Sequence, residues 1–239
     1  MIRLEAVDVG YTKKLFGIVN LTLEAGQVYA LVGSNGSGKT TFLNGIIGEK
    51  GFLKGNMWIN SRLFSSFNSH EIAQEIAFVG SKFEGVDFLT VQEVIALGRT
   101  PHTNLFGRLK KADIKAISHA LEVMELIDFK DVFTTNLSDG ERQLVAIARA
   151  LAQETPIIVL DEPTAFLDYG NRQKIITLLS RLALKENKCI IFSSHDIELC
   201  IERGIHLLLI NQQSKILESM GSNSHKDEII ERGFLAFRS

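Results

Sequence analysis

The chain has 239 residues, of which 45% are hydrophobic and 23% charged, and its net charge is −2. This length and composition are enough for one domain with a buried core and exclude an intrinsically disordered chain. The near-neutral charge gives no general attraction to nucleic acid, so no nucleic-acid partner is expected. The apolar runs are shorter than the roughly 18 to 20 residues that cross a bilayer, which predicts a soluble protein that could still dock on a membrane protein.

The N-terminal part of the chain predicts an antiparallel layer of strands. Residues 1–7 and 15–23 alternate between apolar and polar side chains, as strands with one buried face do. Tyr11 lies in the loop between these two runs. Its ring could stack on an adenine base or could simply pack against the protein.

A glycine-rich segment directly after the apolar run Val28–Val32 matches the pattern G-x-x-x-x-G-K-[ST], which binds the phosphates of a nucleotide. Its residues are Gly33, Ser34, Asn35, Gly36, Ser37, Gly38, Lys39, Thr40 and Thr41. The glycines let successive N–H groups converge on one anion, and a helix that begins near Lys39 turns its positive end to the same phosphates. Lys39 would supply charge to the β- and γ-phosphates, and Thr40 a hydroxyl ligand to Mg²⁺. The alternative is a glycine-rich turn that binds nothing.

The middle of the chain predicts a helical subdomain of about residues 86–152, inserted in the core of a single domain that spans residues 1–239. The run Thr90-Val91-Gln92-Glu93 is a capping box that begins one helix. A second helix is indicated by an apolar stripe with helical spacing. The stripe consists of Ile114, Ile117, Leu121 and Met124.

Two continuous apolar runs, Ile157–Leu160 and Cys189–Phe192, bracket a helical pattern from residue 170 to 184. Such runs are typical of parallel strands that are buried on both faces, and a strand-helix-strand order predicts a right-handed crossover in an α/β core. The chemistry is then expected at the carboxyl ends of the strands.

Acidic residues and a histidine follow these two strands. Asp161 could hold Mg²⁺, and Glu162 could act as general base toward an attacking water, although strand-ending acids can also be helix caps. His195 could reach the same water and the γ-phosphate, or it could be a capping residue beside Asp196.

The segment Leu137–Gln143 contains Ser138 and Glu141 in a second capping box, which predicts the start of a helix that ends at Ala152. The Ser138 hydroxyl and the exposed helix terminus could also bind a γ-phosphate that another subunit holds. Both interpretations can be true together.

In sequence and order, these motifs resemble those of the ATP-binding-cassette (ABC) ATPases, and the resemblance covers nearly the whole chain. Leu137–Gln143 is similar to the family signature. Gly33–Thr41 matches the Walker A motif, and Ile157–Glu162 matches Walker B with the catalytic glutamate. The other matches are Tyr11 as the adenine-stacking aromatic, Asp168 in the D-loop and His195 as the switch histidine. The resemblance implies an α/β fold of the P-loop NTPase (RecA-like) type, with ATP and Mg²⁺ as cofactors. It also implies a head-to-tail homodimer in which Ser138 and Gly140 of one subunit complete the ATP site of the other.

The sequence departs from the family pattern in two places. Gly80-Ser81-Lys82 stands where the family usually has a glutamine at the end of a strand, and the Ser81 side chain is too short to replace it. Asp139 stands where glycine is commoner in the signature. Its negative charge is expected to weaken dimer closure unless the carboxylate points away.

Residues 89–101 and 104–109, with this form of the signature, are similar to the ATPases of iron-siderophore, haem and cobalamin importers. That similarity implies a cytoplasmic subunit, peripheral on the inner face of the membrane, with two integral-membrane permease subunits and, indirectly, a substrate-binding protein as partners. Phe83, Val86 and Phe88 are candidate contacts for the permease. The alternative is a soluble ABC ATPase that remodels a protein or nucleic-acid complex, whereas a GTPase or kinase would leave the signature unexplained.

Overall fold

The computed structural model describes residues 1–104, 106–220, 229, 232 and 233. These residues form ten strands, seven α-helices and four short 3-10 turns. The strands are β1 (Ile2–Gly10), β2 (Lys14–Leu23), β3 (Val28–Val32), β4 (Lys54–Ile59), β5 (Arg62–Leu63), β6 (Ile76–Val79), β7 (Ile157–Leu160), β8 (Cys189–Ser194), β9 (His206–Asn211) and β10 (Ile216–Met220). The α-helices are α1 (Lys39–Ile47), α2 (Ser69–Glu75), α3 (Val91–Leu97), α4 (Lys111–Val123), α5 (Asp139–Ala152), α6 (Tyr169–Glu186) and α7 (Ile197–Glu202).

The strands lie in the order β5-β4-β1-β2-β10-β9-β3-β8-β7-β6. The pairs β9-β3, β3-β8, β8-β7 and β7-β6 are parallel, whereas β5, β4, β1 and β2 pair antiparallel. The two parts meet where β10 pairs with β2 through the single parallel register Ile216↔Gly17. The predicted α/β class, with a mainly parallel core and an N-terminal antiparallel layer, is confirmed.

Strand β1 changes its buried face part-way along its length. Ile2 and Leu4 are buried before the change, and Val7 and Val9 are buried after it. Ala6, with a φ of 51°, produces a bulge at which the pairing with β4 shifts register. The bulge lets β1 keep its apolar side chains on the core side over nine residues.

The parallel strands carry the predicted buried runs. Every residue of β7 and β8 is buried, and helix α6 joins them as a crossover. One apolar core lies between the sheet and helices α3 to α7, and a second lies between the sheet, α1 and the antiparallel layer. Since β8 lies between β3 and β7, the carboxyl ends of all three strands meet at one edge of the sheet.

Helices α3, α4 and α5 lie within the range predicted to be helical and pack against one another. The predicted stripe on α4 is wrong at its first position, because Ile114 is 56% exposed. The buried face of α4 begins instead at Asp113, which accepts a hydrogen bond from Arg99 Nε at 2.9 Å. The Arg99 guanidinium also contacts Ala152 O and Glu154 Oε2, so this buried side chain connects the ends of all three helices.

Candidate active site

The loop between β3 and α1 is shaped by its glycines. Gly36 and Gly38 have φ angles of 74° and 104°, a region that side chains with a Cβ rarely adopt. Gly38 precedes α1, and no side chain of the described residues caps that helix. The Ser37 hydroxyl is buried and makes no hydrogen bond within the described part of the chain. The loop therefore presents unpartnered donors and the positive end of a helix, a combination that fits a phosphate group.

Lys39 lies at the first turn of α1 and is 6% exposed. Its Nζ atom donates to the carbonyl oxygens of Gly33 and Ser34 at 3.0 and 3.2 Å, so the ammonium is held inside the loop. Burial lowers the pKa of Lys39, and the charges of Glu162 and Asp161 offset part of that shift. The cation thus lies between the loop and the two carboxylates that follow β7.

Asp161 connects the glycine loop to the neighbouring strands. Its Oδ2 atom accepts a hydrogen bond from Thr40 Oγ1 at 3.0 Å, which joins residues from β7 and α1. Its Oδ1 atom accepts a hydrogen bond from Ser193 Oγ at 2.6 Å, and that same hydroxyl accepts one from Glu162 N at 2.7 Å. Thr40 and Asp161 are therefore adjacent, as expected for two oxygen ligands of one Mg²⁺.

Ser193 is a site residue that the sequence analysis missed. It is fully buried at the end of β8, between β3 and β7. The available signal was the change from the apolar run Cys189–Phe192 to two serines before His195. A polar pair at the end of a buried parallel strand lies at the sheet edge where ligands bind.

Glu162 and His195 form a direct contact beside this cluster. His195 Nε2 lies 2.7 Å from Glu162 Oε1, and both side chains are partly exposed. Glu162 has a φ of 46°, so its backbone adopts the left-handed region that glycine favours. Strained backbone of this kind is often found at functional sites, where the surrounding structure holds it in place.

Tyr11 lies at the surface and is 50% exposed. The Lys50 ammonium is 4.5 Å from the centre of its ring, a cation-π distance. The ring is therefore not core packing, and it has accessible surface for a second flat group.

The Ser138 segment forms a capping box, as predicted. Ser138 N and Oγ donate to Glu141 Oε2 at 2.8 and 2.7 Å, and Glu141 N donates to Ser138 Oγ at 3.4 Å. None of the hydrogen bonds among the described residues joins Ser138 to the glycine loop of the same chain. A Cβ atom on Gly140 would lie 3.2 Å from the side chain of Asn171, which donates to Asp168 at 2.7 Å. Asn171 therefore lies close beside Gly140 and hydrogen-bonds to Asp168.

Comparison with known proteins identifies the family. The sequence profile described as ABC transporter matches residues 16–165, more than half of the chain. The chain belongs to the ABC transporter family. An uncharacterised ABC transporter ATP-binding protein of Methanocaldococcus jannaschii is 36% identical over 96% of this chain and 80% of its own length. The ferric enterobactin transport ATP-binding protein of Escherichia coli K12 is 31% identical over 97% of this chain and 86% of its own length.

Comparison of the fold with solved structures identifies the same family. A dimeric ATP-binding cassette, solved in a post-hydrolysis state with ADP and Pi, matches with a TM-score of 0.75 and 27% identity, over 94% of this chain and 100% of that one. The chain is an ABC ATPase with the predicted P-loop NTPase fold, and it binds ATP. No helix among the described residues is long and apolar enough to cross a membrane.

The first departure from the ABC pattern lies after β6. Ser81 is exposed, and the next residue, Lys82, forms an ion pair with Glu84 at 2.7 Å. Farther along this loop Val86 and Phe88 are 39% and 88% exposed, whereas Phe83 packs against the core. Two of the three candidate permease contacts are therefore accessible.

The second departure, Asp139, is paired within its own helix. Arg142 Nη2 donates to Asp139 Oδ1 at 2.6 Å. This hydrogen bond holds the pKa of the Asp139 carboxyl below its usual value. The carboxylate is turned toward Arg142, which offsets part of its charge at the tip of α5.

Proposed function

We propose that this ABC ATPase powers the uptake of an iron complex (a siderophore or haem) or of cobalamin through two integral-membrane permease subunits. The meeting of Thr40, Asp161, Glu162 and His195 beside the glycine loop is the observation that supports ATP hydrolysis as the source of power. The relative that transports ferric enterobactin supports an iron complex as the cargo. Relatives of this chain are named as transport proteins, which favours an importer over a soluble ATPase that remodels a protein or nucleic-acid complex.

The nucleotide would be held by the glycine loop and Tyr11. The buried Ser37 hydroxyl and the uncapped start of α1 supply donors for the phosphates, together with the N–H groups of residues 33–41. Lys39 would exchange its bonds to Gly33 O and Ser34 O for phosphate oxygens. Tyr11 would stack on adenine with the ring face that Lys50 leaves open.

Two oxygen atoms that can act as metal ligands, Thr40 Oγ1 and Asp161 Oδ2, lie together and fit a hard cation such as Mg²⁺. When bound there, the ion would neutralise negative charge on the β- and γ-phosphates. Ser193 donates to the other oxygen of Asp161 and so fixes the orientation of that carboxylate.

Glu162 would accept the proton of the water that attacks the γ-phosphate. Its side chain is partly exposed at the site edge, where water can reach it, and His195 Nε2 lies 2.7 Å from its Oε1 atom. Before ATP binds, His195 would hold the carboxylate in position through Nε2, and the same N–H would turn to the γ-phosphate once the nucleotide is in place. In this arrangement Glu162 is the catalytic base and His195 positions it.

A second copy of the chain would complete the site. Ser138 and Gly140 lie at the tip of α5, and Asp168 lies at the start of α6, where Asn171 connects them. In a head-to-tail homodimer, this tip would contact the γ-phosphate held by the partner's glycine loop. The similar cassette that was solved as a dimer supports this assembly.

The permease would dock on the exposed side chains Val86 and Phe88, at the beginning of a helical subdomain of about residues 86–152. The protein would then be cytoplasmic and peripheral on the inner face of the membrane. A substrate-binding protein would deliver the cargo on the other side of the membrane and act on this chain indirectly.

The test is an uptake assay in cells whose own copy has been deleted. Labelled ferric siderophore, haem and cobalamin would be offered in parallel to cells that carry the parent chain or Lys39→Ala. The proposal expects uptake of one of the three cargoes to depend on the parent chain and to be lost with Lys39→Ala. Equal uptake of all three cargoes with both chains would exclude the proposed import of an iron complex or cobalamin.

A further inference from the structure

Each of the two departures from the ABC pattern carries an exposed ion pair. In the segment after β6, Lys82 Nζ lies 2.7 Å from Glu84 Oε1. At the tip of α5, Arg142 Nη2 lies 2.6 Å from Asp139 Oδ1. These four side chains form a charge cluster whose formal charges sum to zero.

The two ion pairs lie side by side because one backbone segment supports both. Gly85, which directly follows the first pair, has a φ of 87°, and a Cβ atom on it would lie 3.0 Å from the carbonyl carbon and oxygen of Thr134. Thr134 is fully buried, and its hydroxyl accepts a hydrogen bond from Val86 N at 2.9 Å. Arg142 Nη1 donates to the carbonyl oxygen of Thr135 at 3.4 Å. The segment after β6 therefore rests on the residues to which the second pair is attached.

The charges of each pair act on those of the other. The hydrogen bond with Glu84 raises the pKa of Lys82, and the carboxylate of Asp139 adds to this shift whereas Arg142 opposes it. The hydrogen bond with Arg142 lowers the pKa of Asp139, and the charge of Lys82 lowers it further. Asp139 is thus balanced by two cations, one from its own helix and one from the segment after β6.

We propose that Lys82 is a positioning residue that balances the charge of Asp139, so that the tip of α5 can receive the γ-phosphate held by a second copy of the chain. The inference rests on the proposed function, because the head-to-tail dimer is what brings that phosphate to the tip. An unbalanced negative charge would repel the phosphate and oppose the positive end of α5. Arg142 is shared with Thr135, and Lys82 supplies the second cation. The unusual segment after β6 thus compensates for the unusual residue in the signature.

The test uses Glu162→Gln as the parent, because that change should retain bound ATP. Sedimentation at saturating ATP and Mg²⁺ in low salt would give the dimer dissociation constant. Lys82→Gln should weaken the dimer by about 3- to 10-fold, because each of the two tips loses a cation. Glu84→Gln removes an anion from the same ion pair and should tighten the dimer by about 2- to 5-fold. Since both variants break the same pair, a merely structural role would move them in the same direction.

A second set of variants tests whether Lys82 acts through Asp139. The double variant Lys82→Gln/Asp139→Asn restores a cluster charge of zero, so its dissociation constant should return to within about twofold of the parent value, as should that of Lys82→Arg. Lys130→Gln is the matched control: Lys130 is 50% exposed and paired with the neighbouring Asp131, and its loss should leave the parent value. All differences should disappear at about 1 M salt, where the Debye length is about 3 Å.

Several results would overturn the proposal. Lys82→Gln and Glu84→Gln could shift the affinity in the same direction, or neither could change it. A double variant as weak as Lys82→Gln alone would mean that Lys82 contacts the partner or the nucleotide and does not act through Asp139. Equal weakening by Lys130→Gln, or differences that persist in high salt, would also contradict the charge balance.

The failure of the proposed function has its own signature. If the Glu162→Gln parent stays monomeric with ATP, the head-to-tail dimer fails and the charge balance fails with it. That result is distinguishable because no substitution in the charge cluster is needed to see it.

Discussion

His195 Nε2 and Glu162 Oε1 lie 2.7 Å apart, although the two residues are 33 positions apart in the chain. The contact joins the ends of β7 and β8, which pair in parallel and so place the residues that follow them side by side. Because Glu162 follows Asp161 directly, the same strand end would supply the proposed metal ligand and the proposed base. The two proposed groups therefore belong to consecutive residues that one peptide bond joins.

Glu162→Gln should lower the rate of ATP hydrolysis by about 10²- to 10⁴-fold, because an amide cannot accept the proton of the attacking water. Binding of ATP should remain, since Lys39 and the glycine loop are unchanged. Phosphate release and the binding of a fluorescent ATP analogue measure the two quantities separately. Lys39→Ala is the contrasting variant, in which binding itself should weaken. Hydrolysis at the parent rate would remove Glu162 from its proposed role.

Ser193→Ala should raise the Mg²⁺ concentration needed for half-maximal hydrolysis by about 10- to 100-fold, because Asp161 loses the donor that orients it. Titration of Mg²⁺ at saturating ATP is the measurement. Ser194→Ala is the matched control: the Ser194 hydroxyl accepts from Asp196 N at 3.0 Å, and no hydrogen bond among the described residues joins it to Asp161. If the two variants had the same Mg²⁺ dependence, Ser193 would have no special part in the metal site.

The sequence was sufficient to predict elements whose pattern is local. The glycine loop, the buried strands β7 and β8, and the capping boxes at Thr90 and Ser138 each lie in a short segment with a specific spacing. The order of strands in the sheet is not local. The sequence pattern does not indicate that β8 lies between β3 and β7, and Ser193 was missed for that reason.

The burial of a side chain was harder to predict where its polarity suggests the opposite environment. Asp113 is buried with Arg99 as its partner, so the buried face of α4 starts at a charged residue, one position before the predicted apolar stripe. Phe166 shows the opposite case, since an apolar residue is expected inside and is held outside by its backbone. Both depend on contacts between distant segments, which composition and periodicity do not contain.

Asp139→Asn should change the ATP-driven dimer affinity by less than about fivefold, because solvent screens a charge that is exposed and already paired. The Arg142 guanidinium already offsets the charge of Asp139 at the tip of α5. Sedimentation of the Glu162→Gln chain with and without this change, at low and high salt, measures the effect. A large gain in affinity that disappears at high salt would show that Asp139 repels the γ-phosphate despite its partner.

Asp113→Asn should destabilise the fold by about 3 kcal/mol at pH 7, because it leaves the buried Arg99 with one carboxylate fewer. The hydrogen bond from the Lys110 N–H, followed by the Arg99 guanidinium, holds the pKa of Asp113 below its usual range. A lowered pKa means that this stability is present above the unfolded value of about 3.9 and is lost as the pH falls toward the folded value.

The difference in unfolding free energy between the parent and Asp113→Asn should therefore be constant at neutral pH and shrink below about pH 4. Urea unfolding of the ATP-free chain over this range is the measurement. Asp131→Asn, in which the replaced side chain is 83% exposed, should match the parent throughout. A destabilisation of Asp113→Asn that stayed the same at low pH would mean that lost packing, and not the charge on Asp113, explains its effect.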